Sequence, residues 1–220
     1  MIYAYIYHYR VGRIHRWAKD GRSKTLTEEM VATLIGTMRD LSAARPRRIG
    51  PRSCAPPVIV LTDGACEPEV TSIGGVIFCD GKLQVFGASI PSSLADTWKS
   101  KEDQSQVIGQ AELYPLLIAR LTWSESLAGR KVLYFVDNES ARLAMVKAYS
   151  PVLASLKLIC QALAWDYSNE SSAWFARVPT ASNIADAPSR MMLSKLLREM
   201  GAEVVPPVFP DGFAPDSVLG

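Results

Sequence analysis

Apolar residues recur at two different spacings along this chain, and the change from one to the other divides it. Between residues 26 and 41, Met30, Leu34, Met38 and Leu41 return at helical spacing, which predicts one amphipathic helix. Thr25 and Glu28 have the S/T-x-x-E form of a capping box at its start. Behind it, Arg45-Pro46-Arg47-Arg48-Ile49-Gly50-Pro51 and Ala55-Pro56-Pro57 can continue neither helix nor strand, because proline lacks the backbone donor that both need. From Val58 the pattern turns to β. Val58-Ile59-Val60-Leu61 is a buried-strand run, and residues 74–78 and 83–87 follow at hairpin spacing around the turn Asp80-Gly81.

Residues 106–122 are predicted helical, and 131–136 form a fourth strand apolar enough to be buried on both faces. Helices are expected over 139–148 and 151–165, a fifth strand over 173–178, and a last helix over 187–200 interrupted early by Pro188. Beyond Gly201 the prolines at 206, 207, 210 and 215 predict an extended tail. This order predicts an α/β fold: a five-stranded mixed sheet, an antiparallel meander then parallel strands, flanked by helices. The expected organisation is a basic leader over 1–57, one folded domain over 58–200 and a proline-rich tail over 201–220.

With 220 residues and 48% hydrophobic composition, the chain can bury one sizeable core. Cys54, Cys66, Cys79 and Cys160 form no C-x-x-C pair and have no histidine nearby, so neither a zinc site nor a disulfide framework is signalled. The expectation is a soluble protein of a reducing, intracellular compartment, cytoplasm or nucleus, with no membrane segment. Net charge is +2, but unevenly spread: residues 1–57 hold 11 Lys/Arg against 4 Asp/Glu, a surplus of seven, and the remainder is acidic. A basic leader suits a polyanion and an acidic body suits divalent cations; a solvated basic surface of no special purpose is the alternative.

Four carboxylates stand where such cations would bind. Asp63 follows the run 58–61 by two residues and Asp137 directly follows the run 132–136, so both are expected at the carboxyl ends of buried strands, where α/β folds place their sites. Glu112 shares a helical face with Ile108 and Leu116, aiming a charge at the side that should be apolar. Asp186 occupies the turn into the last helix. Hard oxygen ligands without histidine or cysteine select Mg²⁺ or Mn²⁺, and two such ions suit a phosphodiester displacement. Each residue also has an ordinary reading: Asp137-Asn138 as an Asx turn, Asp186 as a helix cap, Glu112 as a partner of Arg120.

The segments Leu61-Thr62-Asp63-Gly64-Ala65, Gly74-Gly75-Val76-Ile77, Gln110-Ala111-Glu112-Leu113, Phe135-Val136-Asp137-Asn138 and Asn183-Ile184-Ala185-Asp186-Ala187-Pro188-Ser189-Arg190 resemble the ribonuclease H domain of retroelement and hepadnavirus-like reverse transcriptases. The resemblance covers about residues 58–192, and the leader loosely resembles the connection between polymerase and nuclease domains. It implies a ribonuclease H-like fold, with Asp63, Glu112, Asp137 and Asp186 as catalytic ligands of two Mg²⁺ ions, Mn²⁺ being a possible substitute. Asn138 and Arg190 would contact the substrate backbone.

Three features depart from cellular ribonucleases H. The histidine usual before the last aspartate is absent, since His8 and His15 lie far upstream; a short turn, Tyr149-Ser150-Pro151, stands where a basic protrusion is usual; and Pro115 falls inside the helix carrying Glu112, which predicts a late start near Gly109 or a kink. No Y-x-D-D polymerase motif occurs. The expected function is therefore cleavage of the RNA strand of RNA–DNA hybrids within a reverse-transcriptase-type element, with a polymerase domain or subunit as partner. The alternatives are a non-catalytic module of the same fold that binds nucleic acid or a polymerase, and a nuclease of the same fold acting on DNA.

Overall fold

A computed structural model of the chain describes residues 28–43, 55–67, 70–98, 107–192 and 200–210. The chain divides into two compact units, residues 1–51 and 52–220. In the first, the predicted amphipathic helix is present as α1 (Glu28–Ala43), with Val31, Ile35 and Met38 exposed along it. Thr25 of the expected capping box lies outside the described residues.

The second unit is built on a sheet that begins as predicted, with β1 (Val58–Cys66), β2 (Thr71–Cys79) and β3 (Lys82–Ser89) pairing as an antiparallel meander. Asp80 and Gly81 both take positive φ (48° and 77°), the geometry a two-residue hairpin needs to match strand twist. A short helix α2 (Ser92–Trp98), not anticipated by periodicity, precedes α3 (Ile108–Thr122) and the single turn α4 (Ser124–Leu127). Then come β4 (Lys131–Val136), α5 (Glu139–Lys147), α6 (Leu153–Ser168) and β5 (Ser172–Arg177). The expected last helix is, among the described residues, one turn, α7 (Asp186–Ser189); residues 193–199 of its predicted span lie outside them.

Strand order is β5-β4-β1-β2-β3-β6, the last being Glu203–Val204, with β1, β4 and β5 mutually parallel and β2 antiparallel to its neighbours. The count corrects the expected five strands to six. Glu203–Val204, in the stretch predicted as tail, forms β6 parallel to β3. Two residues are too short to leave a periodic signal, and the open edge of β3 supplies the ladder.

Period-two alternation sends the two sets of strand side chains to different cores. Val58 and Val60 of β1, Ile73 and Ile77 of β2 and Val132, Tyr134 and Val136 of β4 meet helices α2, α3, α5 and α6 in the main core. Leu61, Val76 and Val85 face the other way and pack with Ala185, backed by Ile59, Phe135, Ile184 and Val204. Arg120, fully buried on α3, is held by Asp166 of α6 through two bonds of 2.9 Å and lies 4.3 Å from the Tyr134 ring centroid. The partner weighed for it from sequence, Glu112, is thereby left to another role.

Candidate metal centre

The parallel ladder between β1 and β4 runs from Val58↔Val132 to Thr62↔Val136 and then stops, while β1 continues against β2 as far as Cys66. Asp63 is therefore inside β1 rather than beyond its end, as the apolar run alone had suggested. Asp137 is one residue past the end of β4, so the two carboxylates leave adjacent strands at neighbouring levels. Glu112 comes to them from α3 because β1 and α3 touch backbone to backbone. A Cβ on Gly64 would overlap the Ala111 carbonyl and stand 2.8 Å from the Glu112 nitrogen. Pro115 is an interior residue of α3, which starts at Ile108, and it removes the donor normally given to that same Ala111 carbonyl.

Asp63, Glu112 and Asp137 each offer a carboxylate oxygen, and these oxygens lie within 4.8 Å of one another. Among the described residues no other trio of His, Cys, Asp or Glu comes together in this way. Burial pushes the Asp63 carboxyl up to about 6; Asp137 and Asp186 add to the shift, while hydrogen bonding from Ser189 and the charge of Arg190 oppose it. Burial also lifts Glu112, to about 8, with repulsion from Asp63 and Asp137 adding, against hydrogen bonds from Asn138 and the Gly64 backbone. Without a counter-charge the site thus resists ionisation.

Oε2 of Glu112 and Oδ1 of Asp137 are buried and have no hydrogen-bond partner in the protein. Leaving two such acceptors dry is costly, and a hard divalent cation is the ligand that this all-oxygen donor set suits. The residues fit a metal ion on that observation.

Asp186 lines the same cleft of about 440 Å³, together with Asn138, Thr180, Cys66 and Arg190, but stands outside the tight trio. Its Oδ1 accepts a 3.0 Å bond from Arg190 Nε, and Arg190 also lies 3.7 Å from Glu67. Asn138 has two tasks: its Oδ1 accepts from Ala141 N at 3.0 Å, capping α5, while its amide holds Glu112.

Two residues within the quoted motif, Asn183 and Ser189, were given no role from sequence yet both reach Asp63. Asn183 Nδ2 lies 3.3 Å from Oδ1, and the Ser189 hydroxyl donates to Oδ2. The signal that pointed there is the doublet Gly74-Gly75 in the middle of a strand, a mark of close backbone approach. A Cβ at Gly74 would stand 2.6 Å from the Ala185 carbonyl oxygen and 2.9 Å from the Pro188 carbonyl carbon.

No protein-family model matches the chain, and no curated protein matches it in sequence. Among solved structures, the chain is similar to ribonuclease H1 of the halophilic archaeon Halobacterium salinarum NRC-1, at 18% identity over 61% of this chain and 96% of that one, TM-score 0.48. It is similar also to LC11-RNase H1, isolated from compost by a metagenomic approach, at 19% identity over 64% and 98% of the two chains, TM-score 0.49. That protein in complex with an RNA/DNA hybrid matches at 19% identity over 64% and 99%, TM-score 0.44. By the order and direction of its strands, the unit carrying the site has a ribonuclease H-like fold.

Proposed function

We propose that this chain is a metal-dependent endoribonuclease that cleaves the RNA strand of RNA–DNA hybrids. The observation that carries the reading is the trio Asp63, Glu112 and Asp137, with two buried oxygens left unpartnered at the mouth of a cleft that also holds Asp186. Asp63, Glu112 and Asp137 would hold divalent cation, with Asp186 completing the set for a second ion; Mg²⁺ is the expected species and Mn²⁺ a substitute. The bound ions supply charge neutralisation and Lewis-acid stabilisation for an in-line phosphodiester displacement.

The chain's own residues do the rest. Asn138, the cap of α5, stands beside Glu112 and opposes the rise of its carboxyl, while Glu112 Oε2 is left without a protein partner. Arg190, half-exposed and paired with Asp186, can turn its guanidinium to a phosphate of the substrate backbone. Choice of the RNA strand would rest on its 2′-hydroxyl. The motif resemblance supports placing the domain within a reverse-transcriptase-type element. In that reading residues 1–57 are a polymerase-connection-like leader whose basic charge adds affinity for nucleic acid, 58–200 together with β6 the nuclease, and the rest of 201–220 the tail.

No helix among the described residues is long and apolar enough to cross a membrane. The test is an assay of the full chain on labelled hybrid, duplex DNA and single-stranded RNA, with Mg²⁺, Mn²⁺, Ca²⁺ or EDTA. Cleavage confined to the RNA of the hybrid, in Mg²⁺ or Mn²⁺ only, is expected. Cutting in EDTA or equal cutting of duplex DNA overturns the assignment, and hybrid binding without cleavage under every metal favours the non-catalytic module.

A further inference from the structure

Gly74 is the direct cross-strand partner of Asp63 in the β1–β2 ladder, so the position facing Asp63 on its own side of the sheet carries no side chain. Into that gap comes the backbone of residues 185–189. The segment is internally braced: Asp186 N donates to Asn183 O at 3.1 Å and Ser189 N to Ala185 O at 3.1 Å. It is tied to β2 by the Ser72 hydroxyl, which donates to the Ser189 carbonyl. Asn183 and Ser189 thus flank Asp186 by three residues on either side, and both point back to Asp63.

From this arrangement we infer that Asn183 and Ser189 are positioning residues that fix the Asp63 carboxylate for cation binding and lock it to the segment bearing Asp186; the inference rests on the metal site proposed above. Ser189 is fully buried and Asn183 nearly so, and neither is placed to touch substrate. Each holds one oxygen of Asp63. Asn183 Nδ2 reaches Oδ1 at 3.3 Å and the Thr62 carbonyl at 3.2 Å, while its own Oδ1 accepts from Ala185 N at 3.3 Å, which fixes which way the amide faces. The Ser189 hydroxyl sits between Asp63 Oδ2 and the Asp186 carbonyl oxygen, 2.8 Å away, and its one proton goes to the charged acceptor.

A carboxylate oxygen has two acceptor directions. With one on each oxygen taken, the carboxylate can no longer rotate, and one direction on each is left for cations. Groups that hold ligands in this way commonly change metal affinity about 10–100-fold when removed.

The test uses the full chain and reads Mn²⁺ binding by electron paramagnetic resonance, with urea unfolding in EDTA as the measure of stability. Ser189→Ala and Asn183→Ala are each expected to weaken Mn²⁺ binding about tenfold or more in protein that still unfolds cooperatively. Ser72→Ala is the control, since it loosens the same segment without touching Asp63, and should lose stability with its Mn²⁺ affinity within about threefold of the parent. Should one variant fail to fold, the other alone carries the comparison. Variants that lose stability but bind Mn²⁺ like the parent, or a Ser72→Ala chain as weakened as Ser189→Ala, would reduce both residues to packing. A parent chain that binds no Mn²⁺ would instead remove the metal site itself.

Discussion

Gly64 and Ala111 lie in backbone contact, each one residue from a carboxylate of the site, Asp63 on β1 and Glu112 on α3. The spacing of the two acids is set at this point. Any side chain at residue 64 must push α3 off the sheet. Gly64→Ala is therefore expected to cost about 1–3 kcal/mol of stability, as overpacking does, and to reduce Mn²⁺ affinity as well. Urea unfolding and metal titration of the same preparation check it; a stable variant with parental affinity would show that the helix is free to shift.

Removing one of the crowded acids should relieve the metal-free protein. Asp137→Asn takes a charge away from Asp63 and Glu112, both of which it pushes up, so its melting temperature in EDTA should equal or exceed the parent's. The rise in melting temperature expected of the parent on adding Mg²⁺ should be absent from the variant, and so should cleavage. A variant that melts well below the parent in EDTA would instead give Asp137 a structural task.

The pH dependence of the metal-free chain follows from the raised carboxyls. Asp63 moves from 3.8 to about 6 and Glu112 from 4.5 to about 8, so in both cases the folded state holds its proton more tightly than the unfolded one. Their contribution to stability is complete below the unfolded values and is lost as pH rises through about 6 and then about 8. In EDTA the protein should become less stable over that window. The gain from Mg²⁺ should widen over it, because the ligands must be deprotonated to bind. Differential scanning calorimetry with and without metal tests the sign. Glu112→Gln should flatten the upper part of the EDTA curve; an unchanged curve would remove Glu112 as its source.

The Arg120–Asp166 pair predicts a different behaviour, since it is buried on both sides and away from the cleft. Asp166→Asn leaves the guanidinium without its counter-charge and should cost about 3–5 kcal/mol. Replacing both partners, Arg120→Met with Asp166→Leu, should recover most of that loss, since two desolvated charges go together. Denaturant midpoints of the singles and the double form the cycle; a double variant as unstable as the single would show that the Tyr134 stack, rather than the charge pair, is what Arg120 supplies.

The sequence by itself determined the elements whose side chains repeat. The strands carrying Val58, Val132 and Phe175, the helix carrying Glu112 and the turn Asp80-Gly81 were legible because burial on one face imposes a period of two or 3.6, and because left-handed turns need particular residues. It also marked the acids, through apolar runs that end in a charge. Only the tertiary structure decided what depends on partners distant in the chain. β6 exists because β3 has an open edge. Arg120 belongs to Asp166 rather than Glu112 because α6 packs where it does. Asp186 pairs with Arg190 and stands apart from the trio because of where α7 meets the sheet. Ser189 reaches Asp63 across a gap of 126 residues in sequence because Gly74, its neighbour in space, has no side chain. Periodicity reports which side of an element is buried; which group meets which across that interface is fixed by strand order, register and the few places where a missing Cβ lets two backbones touch.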